Sequence, residues 1–292
     1  MLGFPRRFSW ASETSEKPLK LVFYADVHAR TEWDTPVAMM MAAEAINAQS
    51  PDFVIAGGDL ITDGFQSSYE EVAPRWDVYM DMQEAIDAPV HVAIGNHDLV
   101  AAIPEDGSPP SHDPRKVFCD RIGVDRTYGS CAINGYHFIF LDPIQITGGK
   151  LKYVGTVWPS QLEWLKKDLE SVDPDAPIVL VTHIPLLTGF YQATRGATAP
   201  APENRVVVNS TDVLDLFADR NLQLVLQGHL HVDEMLRWGR TMFITGGAVS
   251  GKWWRGAYHD TEPGFGVVTL RGGRAEWEYV EYGWEPRRPE NA

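Results

Sequence analysis

The sequence predicts an α/β fold in which polar side chains follow the carboxyl ends of buried strands. Five short apolar runs have the length and composition of buried strands, namely residues 19–25, 52–56, 90–94, 178–181 and 222–226. Each run is followed by a short segment that contains His, Asp or Asn. In open α/β sheets, the carboxyl ends of the strands line the crevice where ligands bind. We therefore expect the five segments to converge on one site.

Helical patterns lie between several of these strands. Residues 35–48 and 69–85 carry apolar side chains at helical spacing, and residues 158–169 form an amphipathic pattern with Leu162, Leu165 and Leu169 on one face. A fourth helix is predicted over residues 211–220. The order of strands and helices is that of an α/β domain.

Further strands are predicted outside the five buried runs. Asn134-Gly135 joins two apolar stretches, and this dipeptide favours the tight turn of a β-hairpin, which we expect to begin a second sheet. Residues 266–270 and 274–280 alternate apolar and polar side chains, so they should complete that second sheet.

The polar segments at the strand ends contain the ligand types of a metal site. In chain order they supply Asp26 and His28, then Asp59, then Asn96, His97 and Asp98, then His183, and finally His229 and His231. Carboxylate oxygens, imidazole nitrogens and an amide oxygen suit hard and borderline divalent cations. The number of ligands is enough for two ions, and the Asp59 carboxylate is the natural bridge between them.

The ordered motifs D-x-H, G-D, G-N-H-D, a lone His and G-H-x-H resemble the signature of the calcineurin-like metallophosphoesterases. They are present as Asp26/His28, Gly58-Asp59, residues 95–98, His183 and His229/His231, over about residues 20–250. The resemblance implies a four-layer α/β/β/α sandwich of two mixed β-sheets flanked by helices. Within this family, the sequence resembles the bacterial, phosphodiesterase-like branch. The purple acid phosphatases have a tyrosine ligand where this chain has Thr62, and they lack the first His, which is present here as His28.

The resemblance also implies a role for each site residue. Asp26, His28 and His231 would bind one metal ion, Asn96, His183 and His229 the other, and Asp59 both. A metal-activated hydroxide would attack phosphorus, with His97 as general acid held by Asp98. Asp63 would orient the site from outside the ligand set. The ions would be two divalent or trivalent metals, with Fe, Mn and Zn all suited to these ligands.

The predicted function is therefore hydrolysis of a small-molecule phosphodiester, with a cyclic nucleotide or a glycerophosphodiester as candidates. This preference for diesters rests on analogy with the family. A phosphomonoesterase on the same site is the alternative, and a metal-poor scaffold that binds a protein partner is a weaker one. A mononuclear zinc peptidase or lactonase is disfavoured by Asn96 and by the lack of an H-E-x-x-H motif.

Substrate contacts are predicted from loops that flank the motifs. Asn96 and His97 belong to the central motif, and Arg195 lies with Arg205 in the polar segment 189–209, where a guanidinium could hold a phosphate. Trp253 and Trp254 follow a Gly/Ser turn, which fits either a loop over the pocket mouth or an aromatic pair packed on the sheet edge.

Composition sets the remaining expectations for this chain of 292 residues with 44% hydrophobic content. We expect a leader over residues 1–18, a single domain over 19–283 and a loose tail over 284–292.

The net charge of -15 argues against non-specific binding to nucleic acid or to an acidic membrane. Without an apolar signal segment or membrane span, a cytoplasmic protein is expected unless a longer precursor was trimmed. Pairing of Cys119 with Cys131 and the formation of a homo-oligomer both stay open.

Overall fold

The computed structural model describes residues 18–105, 107, 110, 112–148 and 150–288. Strands and helices are numbered in chain order. The first sheet contains, in spatial order, β13 (Arg274–Glu281), β12 (Gly264–Arg271), β1 (Leu19–Tyr24), β2 (Phe53–Ala56) and β3 (Val90–Val92). β1, β2 and β3 run parallel, whereas β12 and β13 are antiparallel to their neighbours, so the sheet is mixed.

The second sheet has six strands and is also mixed. In spatial order it contains β10 (Asp233–Trp238), β11 (Thr241–Gly246), β9 (Asn221–Gln227), β8 (Pro177–Thr182), β5 (Tyr136–Leu141) and β4 (Gly129–Ile133). Its four inner strands are parallel, and β4 and β10 form antiparallel edges. A separate ribbon pairs β6 (Ile144–Ile146) with β7 (Tyr153–Gly155).

Six helices accompany these sheets. They are α1 (Thr35–Ala48), α2 (Tyr69–Glu84), α3 (Lys116–Ile122), α4 (Pro159–Glu170), α5 (Phe190–Arg195) and α6 (Ser210–Asp215). Helix α2 begins at a capping box in which the Ser68 hydroxyl accepts from the Glu71 N–H and the Glu71 carboxylate accepts from the Ser68 N–H. This exchange satisfies two backbone donors that the first helical turn leaves unpaired.

Alternation along β1 shows how the layers are held together. Leu21 and Phe23 point into an apolar cluster shared by both sheets, because successive side chains of a strand face opposite sides. Val22 and Tyr24 point the other way, toward the helices. There the Tyr24 hydroxyl lies 3.1 Å from the Tyr79 hydroxyl of α2. The two sheets thus pack face to face with helices outside, and the four-layer prediction is confirmed.

The last two strands are a correction to the sequence-based topology. Residues 266–270 and 274–280 were expected in the second sheet, but they lie in β12 and β13, and β12 pairs with β1 and so extends the first sheet. Apolar alternation indicates which faces of a strand are buried, and it carries no information about the neighbouring strand. The hairpin prediction is confirmed, since β4 and β5 pair across Asn134-Gly135, both with positive φ, at the edge of the second sheet.

The described chain also bears on three smaller expectations. Cys119 and Cys131 are both free thiols. Within the residues that the structure covers, no helix combines the length and apolar character needed to cross a bilayer. Nearly all of the predicted leader lies outside the described residues. The described part of the predicted tail contacts the domain, because Trp284 is buried and Arg287 pairs with Asp34 at 2.9 Å.

Candidate metal centre

The parallel strands of both sheets bring their carboxyl ends to one place. From the first sheet come Asp26 and His28 after β1, Asp59 after β2 and Asn96 after β3; from the second come His183 after β8 and His229 and His231 after β9. Their ligand atoms form overlapping groups within 4.8 Å, namely Asp26/His28/His231, His28/Asp59/His97 and Asp59/His183/His229. Asp59 belongs to the last two of these groups and His28 to the first two, so the three groups form one continuous cluster.

The closest approaches in this cluster join atoms that can act as metal ligands. Asp26 Oδ1 lies 3.2 Å from His231 Nε2, and Asp59 Oδ2 lies 3.1 Å from His183 Nε2. The Nε2 atoms of His28 and His231 are 3.1 Å apart. All of these side chains are almost completely buried.

Backbone carbonyls fix the tautomers of three of the histidines. A carbonyl can only accept, so the ring nitrogen that contacts it carries the proton. His183 Nδ1 donates to Gly57 O at 2.8 Å, His231 Nδ1 to Gly251 O at 2.6 Å, and His229 Nε2 to Asn204 O at 3.0 Å. In the neutral form of each ring, the opposite nitrogen therefore holds the lone pair. This is the usual support of a metal-binding histidine by an outer hydrogen bond.

Several buried polar atoms of the cluster lack hydrogen-bond partners, and this fits a metal centre. They are Asp26 Oδ1, His28 Nδ1, Asn96 Oδ1 and His183 Nε2. Buried polar atoms are almost always satisfied, because an unsatisfied one costs about 1–3 kcal/mol. Asp26 Oδ1 and His183 Nε2, which lie 3.9 Å apart, are atom types that a divalent cation takes as ligands, and so is the Asn96 amide oxygen. His28 faces the cluster with Nε2 instead, 3.1 Å from His231 Nε2.

The backbone of the strand ends is strained where the predicted ligands lie. Positive φ angles occur at Asp26 (54°), His28 (46°), Asp59 (53°), His229 (73°) and His231 (58°). A non-glycine residue in this region costs about 1–3 kcal/mol and persists where the surrounding structure enforces it. Gly95 shows how tight the packing is, since a Cβ there would lie 2.0 Å from Asp59 N. These strained conformations lower the stability of the fold and direct the predicted ligands toward one another.

The surroundings of the site favour a neutral His28 beside an ionised Asp59. Burial, then the nearby His97, lower the pKa of His28 well below its usual range. Burial alone would raise the pKa of Asp59, but the charges of His183 and His97 hold that pKa well below its ordinary value. Metals bind neutral histidine and ionised carboxylate, so both groups are in the metal-binding form.

His183 differs from His28 in its titration. Burial lowers its pKa, but the carboxylates of Asp59 and Asp26 outweigh burial and raise the pKa to about 9. The two carboxylates therefore stabilise a positive charge at the position between them. A bound cation would supply that charge and release the proton from His183.

Asp98 does not hold His97 as the sequence suggested. Its carboxylate accepts from the backbone N–H groups of Leu60 (2.7 Å), Ile61 (3.2 Å) and Gly95 (2.8 Å), and so ties the loop after β2 to the loop after β3. The residue that contacts the His97 ring is Asp63, whose N–H donates to Nδ1 at 3.0 Å. Because Asp98 is completely buried under those donors, its role is to anchor the loop.

The contact with Asp63 decides what His97 can offer. Since Nδ1 accepts from the Asp63 N–H, the ring proton of neutral His97 is on Nε2. Nε2 is then a donor and has no lone pair for a metal ion. The ring is about a quarter exposed and lies edge-on to His28, with centroids 4.7 Å apart. His97 is placed to donate toward a ligand in the cleft.

Trp253 and Trp254 have different surroundings. The Trp253 ring is half-buried and lies 4.3 Å from the His231 ring, beside the metal cluster. Trp254 is only 1% exposed, and its indole N–H donates to His28 O at 2.9 Å. A ligand cannot reach a side chain this deeply buried, so Trp254 supports the β1 end from inside the core. Arg288 in the C-terminal segment donates to Trp253 O at 2.8 Å and fixes the loop from outside.

The two arginines of the polar segment are also separated. Arg195 is exposed, with its guanidinium 5.0 Å from the Tyr191 ring, and no contact joins it to the predicted ligands. Arg205 is half-buried, and its charge acts on His229, Tyr153 and Tyr191. It forms no ion pair with a carboxylate in the described part of the chain. Sequence reasoning chose Arg195, and nothing in the spacing distinguishes the two.

The fold and the ligand set together define a two-metal phosphoesterase architecture. The model of the calcineurin-like phosphoesterases matches residues 19–233, which is more than half of the chain. The chain therefore belongs to the calcineurin-like phosphoesterase family.

Two curated relatives are similar over most of this chain. Both are described as probable cyclic nucleotide phosphodiesterases. The one from Synechococcus is 26% identical over 68% of this chain, and the one from Rhodococcus erythropolis is 23% identical over 72%. The alignments span 65% and 62% of the relatives' own lengths, less than two thirds of either.

A solved structure supports the fold independently. A dimetal phosphatase from Danio rerio superposes with a TM-score of 0.64, at 14% identity, and covers 91% of this chain and 96% of its own. At this identity the similarity establishes the shared fold.

Proposed function

We propose that this protein is a dinuclear metal-dependent phosphodiesterase. The proposal rests on one observation at the carboxyl ends of the strands of both sheets. There, histidine rings with fixed tautomers lie together with carboxylate and amide oxygens that have no hydrogen-bond partner. One ion would be held by Asp26, His28 and His231, and the other by Asn96, His183 and His229, with Asp59 shared. When bound, such a pair of cations acidifies water near neutral pH and neutralises phosphate oxygens.

The chain itself supplies a charge that can orient the substrate. Arg205 lies beside His229, where Asn204 O accepts from the His229 ring, and the loop is held by the Arg205 N–H bonded to Pro202 O at 2.8 Å. A half-buried guanidinium without a carboxylate partner is costly unless an anion joins it. Its planar fork matches two oxygens of a phosphate. Arg205 would therefore hold the non-bridging oxygens of the substrate.

His97 supplies the proton donor for the departing alcohol. With Nδ1 engaged by the Asp63 N–H, its Nε2–H can donate to the oxygen of the departing alcohol. Asp63 in turn pairs with Arg30 at 3.1 Å, which restrains the loop. His97 and Asp63 thus act as donor and positioning group, and no covalent phosphoenzyme is needed.

A diester substrate is favoured over a monoester by two observations. The relatives are described as probable cyclic nucleotide phosphodiesterases. In addition, the charge of Arg205 acts on the predicted ligand His229, and one guanidinium balances a diester monoanion better than a monoester dianion. The cyclic nucleotide and the glycerophosphodiester are both substrates of this type.

The choice of ester is tested with two chromogenic substrates. Metal-stripped protein resupplied with Mn²⁺ should hydrolyse bis(p-nitrophenyl) phosphate with a higher kcat/KM than p-nitrophenyl phosphate. The metal-stripped protein before resupply is the control and should be inactive on both. Preference for the monoester would contradict the diesterase proposal, and inactivity on both with two metals bound per chain would contradict the phosphoesterase activity.

Arg205→Ala should lower kcat/KM for the diester by about 10- to 100-fold. Hydrogen bonds to charged groups contribute about 1.5–3 kcal/mol, and each 1.4 kcal/mol is a factor of ten. Steady-state hydrolysis of bis(p-nitrophenyl) phosphate measures this effect. Arg195→Ala is the matched control, because Arg195 lies on the same segment and points to solvent, and it should change kcat/KM less than about twofold. Equal losses in the two variants would remove Arg205 from the substrate site.

A further inference from the structure

The two ends of the metal cluster have different chemical surroundings. At the His229 end, the ring donates to the carbonyl of Asn204, the residue before Arg205, and the Tyr153 ring lies 6.3 Å away. At the His231 end, the ring of Trp253 lies 4.3 Å from the His231 ring and 6.0 Å from the His28 ring. A substrate that spans the cluster therefore has Arg205 near one end and the ring of Trp253 directly beside the other.

The aromatic surface extends beyond Trp253. The ring of Tyr258 lies 6.1 Å from Trp253 at 69° and 6.5 Å from His231. Phe190 follows at 6.4 Å from Tyr258. All three aromatic side chains are half-buried, so each keeps part of its surface accessible. Trp253, Tyr258 and Phe190 are called the aromatic wall below.

The wall is held rigidly before any ligand arrives. Arg288 donates to Trp253 O at 2.8 Å, and Trp253 itself has a φ of 48°, a conformation that the surrounding contacts must enforce. The backbone of Tyr258 exchanges two hydrogen bonds with Thr261, at 2.9 and 3.0 Å. A preformed surface loses little conformational entropy when it binds a ligand.

The polar edges of the wall also point to a ligand with heteroatoms. In the described part of the chain, neither the Trp253 indole N–H nor the Tyr258 hydroxyl has a hydrogen-bond partner. Tyr and Trp that are substantially buried usually find such a partner. A flat ring that carries nitrogen and oxygen atoms could stack on the wall and receive these hydrogen bonds.

A second class of ligand, a quaternary ammonium group such as choline, also binds aromatic surfaces. Here, however, the Lys252 ammonium already lies 6.0 Å from the centre of the Tyr258 ring. A second cation would be repelled by Lys252, whereas a neutral ring would not. The charge distribution therefore favours a neutral heteroaromatic ring.

We infer that Trp253 and Tyr258 form a stacking site for the nucleobase of the substrate, so that the substrate class is a nucleotide phosphodiester. This inference rests on the proposed phosphodiesterase function. It separates the two candidate diesters, because a glycerophosphodiester has no ring to place on the wall. Tyr258 and Trp253 would determine specificity and take no part in the chemical step.

Two phosphate ligands that differ only by the base test this inference. Isothermal titration calorimetry on the Mn²⁺-loaded protein would compare adenosine 5′-monophosphate with ribose 5-phosphate. Stacking of a base on an aromatic side chain should make the nucleotide bind about 5- to 150-fold more tightly. Tyr258→Ala should remove most of this advantage and leave the affinity for ribose 5-phosphate unchanged, whereas Tyr258→Phe should keep it.

Controls and other outcomes separate the inference from the proposed function. Trp238→Ala removes an aromatic ring that is 77% exposed on β10 and should change neither affinity. Thermal unfolding of each variant checks that it is folded, and Trp253→Phe provides a second, conservative change at the wall. Equal affinities for the two ligands would overturn the stacking site and leave the phosphoesterase intact. Tighter binding of phosphocholine than of adenosine 5′-monophosphate would show that the aromatic wall binds a cation, and this would overturn the stacking site. Failure of every phosphate ligand to bind would overturn both proposals.

Discussion

Replacing Asp59 by Asn should reduce the metal content from two ions per chain to nearly none and abolish hydrolysis. Asp59 Oδ1 already accepts the His97 N–H at 2.7 Å, so the amide oxygen of the variant would take that position. The amide NH₂ would then point to where Oδ2 now lies, 3.1 Å from His183 Nε2. The protons of this amide would then point into the space where a metal ion needs lone pairs. Loss of an outer partner alone costs about 10- to 100-fold in metal affinity, and loss of the bridge should exceed this.

Metal analysis by mass spectrometry after dialysis measures the content of both sites. A rise in Tm on addition of Mn²⁺, expected for the wild type since binding to the native state stabilises it, should be absent in Asp59→Asn. Asp63→Asn is the matched control, because Asp63 is four residues further on, its carboxylate is more than half exposed, and it belongs to none of the ligand groups. Two tightly bound ions in Asp59→Asn would show that Asp59 is not the bridge.

The convergence of the predicted ligands could be anticipated from the sequence because their positions are set by local patterns. Each follows a strand by one to four residues, and parallel strands deliver their ends to the same edge. The strand bounds agree with the prediction to within about two residues, as for β1 at Leu19–Tyr24 and β9 at Asn221–Gln227. Asn96 shows the strength of the pattern, since its buried amide oxygen is among the partnerless atoms.

The roles that depend on loop conformation could not be predicted in the same way. Asp98 and Asp63 both lie near His97 in the fold, but the loop directs the Asp98 carboxylate to backbone donors and the Asp63 N–H to the ring. Trp253 and Trp254 both have positive φ, so the alternation that governs extended chains does not decide which one is buried. Arg195 and Arg205 differ through the tertiary contacts of their segment. These outcomes depend on long-range packing, which periodicity does not encode.

His97→Ala should lower kcat by about 10²- to 10⁴-fold while most of the metal stays bound. General acid–base groups contribute about this much, and Nε2 of His97 carries the proton because Nδ1 accepts from Asp63 N. The loss should depend on the leaving group. A diester that releases p-nitrophenolate needs little proton donation and should lose less activity in the variant than a diester that releases an alkyl alcohol.

Comparing the two esters distinguishes proton donation from metal binding by His97. A role as a ligand is the rival explanation, since the His97 ring shares a ligand group with His28 and Asp59. If His97 were a ligand, the variant would lose metal and slow both esters to the same extent. Retained metal with a selective loss on the alkyl ester would establish the donor, because only that leaving group requires a proton as its bond to phosphorus breaks. His97→Asn, which keeps a hydrogen-bond donor but cannot protonate an alkoxide, should behave like His97→Ala on the alkyl ester.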